Sequence, residues 1–461
     1  MRRALFRSLA VPDFRWFAGA SLMVNVAMWM QRIAQDWLAI RITGQGATVG
    51  IVTALQFLPV LLLSPFAGTI ADRVSKRSVL TASGLLLGST AIVLGAVVGW
   101  GAVTRYQLYG FAVLLGVAAA VDAPARMAYV RSFITDANLV NAMGLSALIF
   151  HSARVIGPML AGLLMAWSGI AAAFLTVGGC HLIATALLYG ITAESSSGAV
   201  RAPARLGAAI AELRRQPQVL VLMALATVVC SFSMNFQITI TVMATRVFAL
   251  SAGQFGGLTS LMAAGSIVGA LGVASLKRPS HRIVLGAAAG LGLAYLVAAL
   301  CRTPVQFGLA LLPIGLLSNL YLATSSASVQ LQVARAIQGR AVGLYQASSY
   351  ALVPLSAALI GYAADAWSPR GPLALAGAAC LVAAATAFVF LTLLEERRED
   401  GAQRSTSGVV TKTIKSLWRG YQRHSAVEQL RDPPRDHSAG ASIRPLPFDL
   451  RGPHVTEEPS I

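Results

Sequence analysis

The sequence predicts an all-α integral membrane protein, with twelve transmembrane helices in two related six-helix bundles. Three observations carry this reading. Hydrophobic residues make up 56% of the chain and charged ones only 12%, with a mean hydropathy of +0.68, far outside the usage of soluble domains. Apolar runs of roughly 20 residues, the length that crosses a bilayer, recur along the chain between charged or Gly- and Pro-containing turns. A polar, basic segment near the middle leaves room for six such runs on either side.

The expected spans are 15–41, 47–71, 78–100, 104–125, 139–167, 170–192, 218–248, 253–276, 282–301, 305–326, 341–365 and 371–394. The basic start, Met1 to Leu9, is followed by a run that charges interrupt, and it reads as a retained first span rather than a cleaved leader. The 42 Gly and 19 Pro suit membrane helices, where neighbouring helices satisfy the backbone. An even number of spans puts both termini on one side. Loops on that side hold 18 Lys and Arg, against Arg41, Arg105, Arg246, Arg302 and Arg370 on the other. The positive-inside rule then places both termini and the central loop in the cytoplasm of a cell whose inner membrane holds the protein.

The expected domains are 1–192, a first bundle; 193–217, a cytoplasmic loop with Ser195 to Gly198, Pro203 and a basic stretch from Arg205 to Arg215; 218–394, a second bundle; and 395–461, a tail. An internal echo supports the repeat: Gly144 and Gly343, like Gly162 and Gly361, are 199 residues apart. The tail opens on Glu395 to Asp400 and stays polar and Pro-rich, which predicts disorder. Within it Val410, Ile414, Leu417, Trp418 and Tyr421 share a helical face, so a surface-lying helix is the alternative there.

The +18 formal charge is dispersed in short clusters between apolar runs and forms no stripe for nucleic acid. Cys180, Cys230, Cys301 and Cys380 lack the spacing of a metal or disulfide site and read as small buried hydrophobes. No phosphate-cradling loop, Cys/His cluster or nucleophile elbow occurs, so neither an enzyme nor a cofactor is expected.

The sharpest motif lies between spans two and three, where Gly68, Asp72, Arg73, Lys76 and Arg77 close one apolar run and open the next. A carboxylate at a helix end can face the N-terminus of another helix and nearby cations, and so act as a conformational latch. A cluster that merely holds the loop in the cytoplasm would explain the cations but not Asp72 or Gly68. In span five, Arg154, Gly157, Pro158 and Gly162 combine small residues that let helices approach with a proline that bends the axis.

Ionisable groups inside a membrane are costly and therefore functional candidates. Arg32 and Asp36 stand one turn apart in span one, Asp122 and Arg126 repeat that spacing in span four, and His151 precedes Arg154 by three residues in span five. Each acid and base in the first two pairs can neutralise the other, or the acid can carry a proton. Arg154 is expected to meet an acid from another helix or an anionic substrate group. Asn25, Gln31, Gln56, Asn235 and Gln237 either line the same cavity or bond helices together.

Gly68 to Arg77 resembles the helix 2–3 signature of the major facilitator superfamily, with Ser75 where the family has Gly before the basic pair. Arg154 to Gly162 resembles the helix-5 signature of that superfamily's antiporters. Phe14-Arg15, Gln35 to Leu38, Leu58-Pro59, Ser64-Pro65, Asp122 to Arg126, Asn141-Ala142, Gln330 and Gly339 to Tyr345 are similar to its enterobactin-exporter-like branch, the transmembrane secretion effectors. The likeness covers nearly all of the membrane portion and excludes the tail. The loop at Lys277 to Pro279 lacks the acid of the first-half signature, which leaves a second latch unsupported.

The resemblance implies a secondary transporter that exports amphipathic small molecules, drugs or siderophores, by alternating access coupled to protons. Its expected partners are the substrate, protons and the lipid bilayer, with the chain acting as a monomer. An importer or a lipid or nutrient transporter of the same fold is the alternative, and a non-transporting membrane scaffold is a further one.

Overall fold

The computed structural model describes residues 7–130, 132–192, 213, 214, 216–233, 235–274, 276, 280–333 and 338–396; the side chains of 64–73, 136, 137, 139, 140, 147, 274 and 338–340 lie outside the description. The chain divides into a compact unit, Met1–Leu394, and a second unit, Glu395–Ile461. The tail's surface-helix segment and the central loop from 193 to 212 fall outside the described residues.

Ten stretches among the described residues are long and apolar enough to cross a membrane. One of them, Asn141–Gly190, has 50 residues, roughly 75 Å of helix against a hydrocarbon core of about 30 Å. It reverses at Gly169, whose φ of 80° and ψ of 173° suit glycine alone, and so makes two passes. The first helix falls outside the ten because Asn25, Gln31, Arg32, Gln35 and Asp36 dilute its apolar character, yet it runs for 32 residues. With it and the Gly169 turn, the long helices among the described residues number twelve.

These are α1 (Pro12–Thr43), α2 (Gly46–Arg73), α3 (Lys76–Gly99), α4 (Arg105–Val130), α5 and α6 (136–168 and 170–187), α7 (Pro217–Ser233, Phe236–Val242 and a π-turn Met243–Val247), α8 (Ala252–Ala274), α9 (His281–Leu300), α10 (Pro304–Gln332), α11 (Gln338–Ala351 and Val353–Ala366) and α12 (Gly371–Glu396). Polar residues satisfy the first amides where helices begin: Ser75 caps α3, Ser280 caps α9, and Thr303 with Gln306 forms a capping box on α10.

The expected spans correspond to these helices, with differences at five of them: the sixth ends as α-helix at Leu187, short of 192, and closes in a 3-10 turn to Gly190. The fourth helix continues five residues beyond 125, because Arg126 is paired with Asp122 on its own helix and does not end it. The tenth runs six residues beyond 326. The seventh and eleventh are not continuous: α7 is interrupted at Asn235 and α11 at Leu352, just before Pro354, which has no N–H to give the helix.

The last six helices pair in the pattern of the first six. α1 packs on α5, α2 on α4 and α3 on α6; correspondingly α7 packs on α11, α8 on α10 and α9 on α12. The contacts are close because glycines face backbone: a Cβ on Gly157 would lie 2.6 Å from that of Trp29, and one on Gly292 would lie 2.8 Å from the Gly377 carbonyl. In lipid there is no hydrophobic drive between helices, so such close approach is what holds them.

Two seams join the sextets. Gly162 of α5 meets the backbone of Ala252, Gly253 and Gly256 of α8, and Gly361 of α11 meets that of Gly46, Ala47 and Gly50 of α2. The two glycines separated by 199 residues thus do the same job in the two seams. Both seams lie toward the face carrying the α1–α2, α5–α6, α7–α8 and α11–α12 turns, opposite the face where the chain enters α1. Trp100, Tyr106, Trp167 and Trp367 are exposed on that opposite face, and Trp16 and Tyr189 on the terminal face, the two aromatic belts of a bilayer-spanning protein.

A side chain at either seam has no room. Gly162→Leu and Gly361→Leu are each expected to destabilise the sealed arrangement by about 1–3 kcal/mol. This should appear as a lowered thermal unfolding midpoint in detergent, whereas Gly179→Leu, at a glycine facing open space, should leave the midpoint nearly unchanged.

Candidate functional site

One face of α1 carries Asn25, Trp29, Arg32 and Asp36, which follow one another at helical spacing. Against it come α5 with His151, Arg154 and Pro158, α2 with Gln56 and Phe57, and the two interrupted helices, α7 with Asn235 to Gln237 and α11 with Tyr350. The Arg154 guanidinium lies between two aromatic faces, 5.4 Å from the ring of Trp29 and 5.3 Å from that of Phe236. A narrow cleft of about 10 Å³, room for about one water, lies beside it, lined by Trp29, Arg154, Pro158, Phe236, Gln237, Thr259, Met262 and Ala263. Residues from α1, α5, α7 and α8 thus converge, two helices from each sextet.

Arg32 and Asp36 form no salt bridge, although each is the other's main charged neighbour. The Arg32 guanidinium sits 5.0 Å over Phe57, which in turn stacks on Tyr350 across the sextets, with centroids 6.3 Å apart. Asp36 is 2% exposed, and its Oδ2 is buried without a hydrogen-bond partner among the described residues. Gln56 donates to Gln35 Oε1 at 2.8 Å, while Asn25 donates to the Ser21 carbonyl of its own helix. Trp29 Nε1, Gln31 Nε2, Gln35 Nε2 and His151 Nδ1 are buried and unpartnered among the described residues.

The helix breaks are fastened to each other. Asn235 donates to the Ser231 carbonyl and to Ser356 Oγ, Ser356 Oγ donates to the same carbonyl at 2.7 Å, and Tyr295 donates to the Ser233 carbonyl. Freed backbone acceptors of α7 are thereby satisfied by side chains of α9 and α11, which lets a membrane helix be interrupted at all.

Asp122 and Arg126 behave differently from Asp36. Arg126 holds both Asp122 oxygens at 3.0 Å, and Ser83 donates to Oδ1 at 2.9 Å. This closed pair, in which Arg126 Nη1 alone has no partner among the described residues, packs inside the first sextet, between α3 and α4, away from the cleft.

Of the residues in the α2–α3 motif, Gly68, Asp72 and Arg73 belong to α2 but their side chains lie outside the described ones. Lys76 starts α3, and Arg77 lies over the Tyr189 ring at 4.8 Å and donates to the Ile191 carbonyl. Gly157 and Gly162 are the close-approach points of α5, toward α1 and α8, and the Pro158 carbonyl meets Gly256.

An ion pair that the sequence reading missed closes the opposite face. Arg246, in the π-turn of α7, pairs with Asp365 of α11 at 2.6 Å and also donates to the Gly44 carbonyl. Asp365 in turn accepts from the amides of Gly46 and Ala47, at 2.9 and 2.8 Å. A carboxylate of one sextet thus caps the N-terminus of a helix in the other, where the helix dipole favours negative charge. Trp37 stacking on Phe255, 5.4 Å away, adds a second contact across the sextets near that face. Arg246 had registered only as a loop charge, and Asp365 sits 119 residues further on, beyond any local motif.

A family model described as transmembrane secretion effector matches residues 4–415. The chain belongs to this family, within the major facilitator superfamily of transporters. Among curated relatives of this transporter, the multidrug efflux pump Tap of Mycolicibacterium fortuitum is 27% identical over 75% of the chain and 88% of the relative. The staphyloferrin A transporter of Staphylococcus aureus (strain NCTC 8325 / PS 47) is 25% identical over 56% of the chain and 66% of the relative, just short of two thirds of that protein. In fold the transporter is similar to the nucleoside transporter NupG, with a TM-score of 0.67 at 12% identity over 82% of this chain and 99% of that one. It is also similar to a bacterial homologue of the lysosomal transporter Spinster in an inward-facing, occupied conformation, with a TM-score of 0.65 at 14% identity over 83% and 96%.

The two intramembrane acids should separate by stability. Asp122→Asn leaves Arg126 buried without its counter-charge and is expected to cost about 3–5 kcal/mol, read as a clear fall in the unfolding midpoint. Asp36→Asn breaks no ion pair and should leave the midpoint nearly unchanged.

Proposed function

We propose that this transporter exports amphipathic small molecules, drugs or siderophores, against proton entry, by rocking its two helix sextets about the Arg154 cleft. The observation that carries the reading is the pairing of a polar cleft between the sextets with glycine seams and an ion-paired helix cap that close one face above it. The names of the relatives, a multidrug efflux pump and a siderophore transporter, support the substrate class.

The basic bias of the terminal face supports a cytoplasmic location for both termini in the cell membrane. The sealed face is then external and the protein faces inward, ready to load from the cytoplasm or the inner leaflet. Asp365 caps α2 at its external end in this state. At the other end of the same two antiparallel helices, Asp72 ends α2 where α11 begins, so an acid is available to latch each face in turn. A helix pair with one carboxylate for each end can hold either of two states, and only one closure need form at a time.

Asp36 is the better proton carrier of the two acids named. A carboxylate engaged by Arg126 and Ser83 would give up those bonds on taking up a proton, whereas Asp36 has a buried oxygen with no donor among the described residues and has no such bond there to lose. It shares a helix face with Arg32 and Trp29, so a change in its charge is felt directly in the cleft.

The test is flux in proteoliposomes with an imposed pH gradient, using an anionic amphipathic dye and a panel of iron-free siderophores. Substrate movement opposite to the proton gradient is expected, with Asp36→Asn retaining binding but losing the dependence on the gradient. Movement only along with protons would make the protein an importer of the same fold. Asp365→Asn should loosen the external closure and raise the reactivity of a cysteine placed at Gln237 toward a membrane-impermeant reagent added from outside; unchanged reactivity would remove the latch.

A further inference from the structure

The cleft is built with more positive charge than it neutralises. Arg154 lines it, Arg32 follows Trp29 by one turn of α1 and Asp36 follows by a further turn, and neither arginine forms an ion pair among the described residues; the pairs described are Arg126 with Asp122 and Arg246 with Asp365. The charge acting most strongly on Arg154 is that of Arg32, a like charge. Two cations in a membrane interior without equal counter-charge are an expensive arrangement.

The geometry at Arg154 is also particular. Trp29 and Phe236 take up the faces of the guanidinium, which holds it flat and leaves its five N–H donors, all at the edge, free of any acceptor among the described residues. Beside it Trp29 Nε1, on a residue 8% exposed that also lines the cleft, is a further buried donor without a partner among the described residues. A planar, edge-open guanidinium with a further donor nearby matches a carboxylate in fork geometry.

We propose that the cleft binds the acidic group of an anionic amphiphile, its carboxylate held edge-on by Arg154 with Arg32 supplying the second charge, while an apolar body lies against Trp29 and Phe236. In this arrangement the cleft has room for about one water, so the carboxylate enters as the side chains around Arg154 part. This assignment rests on the transport reading but concerns binding, and the two can fail separately. Because Phe236 opens the second part of α7, directly after the break at Asn235, an anion on Arg154 also bears on the segment fastened to Ser356 of α11. Occupancy and the hinge of the second sextet are thereby coupled.

The test uses three fluorescent probes that differ in charge: dansyl-phenylalanine, its methyl ester, and dansylcadaverine, a cation. Binding is measured on the full-length protein in nanodiscs of phosphatidylcholine alone, where no anionic lipid competes. The carboxylate is expected to bind at least tenfold more tightly than the ester, and the cation most weakly. Arg154→Gln should remove most of that preference and Arg32→Gln part of it, with ester affinity changed less than twofold. Arg154→Lys, which keeps the charge but not the fork, should retain a reduced preference, and Arg302→Gln, at the opposite face, should retain all of it. Unfolding midpoints within a few degrees of wild type establish that the variants are folded. Equal binding of carboxylate and ester, a preference that survives Arg154→Gln, or no saturable binding of the carboxylate would each overturn the assignment. Charge-selective binding without gradient-driven export would uphold the site and sink the transport reading instead.

Discussion

The close approach of backbones at two glycine seams is the constraint on which the rest of the structure depends. In lipid, two sextets of apolar helices gain nothing by hiding oily surface from each other; what they gain is dispersion and polar contact at short range. Gly162 against Gly256, and Gly361 against Gly46 and Gly50, bring backbone to backbone where any Cβ would intrude. Only with α2 and α11 this near can one Asp365 carboxylate reach two amides at the start of α2 while holding Arg246. The cleft beneath is sealed because the seams are.

A sealed face also explains why costly polar groups are tolerated where they are. Arg154 sits between rings contributed by α1 and α7, one from each sextet, so its environment exists only when the sextets are together in this arrangement. The Ser231, Asn235 and Ser356 bonds do the same for the broken backbone of α7. Each expensive feature is stabilised by a contact between helices distant in sequence, and each is therefore sensitive to how those helices are placed. That sensitivity lets a binding event and a change of shape be one process.

Hydropathy made the spans legible, and the turns at Thr43 to Gly46 and around Gly169 could be placed because charge or glycine interrupts the apolar run there. The α5 glycines were legible as close-approach points, and the equal spacing of Gly162 and Gly361 pointed to the repeat that the helix pairings display. The breaks at Asn235 and Leu352 were not legible, since one polar residue or one proline in an oily run is common in continuous membrane helices. The Arg246 and Asp365 pair was hidden for a different reason: each residue is an ordinary loop-edge charge on its own, and only the packing of α7 with α11, and of α11 with α2, brings them to one helix end. Asp36 and Arg32 looked like partners from their four-residue spacing, but a helix face that also carries Phe57 of a neighbour offered the guanidinium an aromatic seat.

The contrast between Asp36 and Asp122 follows from that last point. Both acids stand four residues from an arginine on their own helices, so spacing alone makes them equivalent. What separates them is the neighbouring helix: α3 presents Ser83 to Asp122 and keeps the pair closed, while α2 presents Phe57 to Arg32 and draws the cation away from Asp36. An aromatic face attracts a guanidinium by about 0.5–2 kcal/mol, and from its seat over Phe57 Arg32 still acts on Asp36 through its charge without bonding to its oxygens. One side chain on an adjacent helix therefore decides whether an acid is a structural cement or an open acceptor, and Phe57 is the residue that leaves Asp36 open.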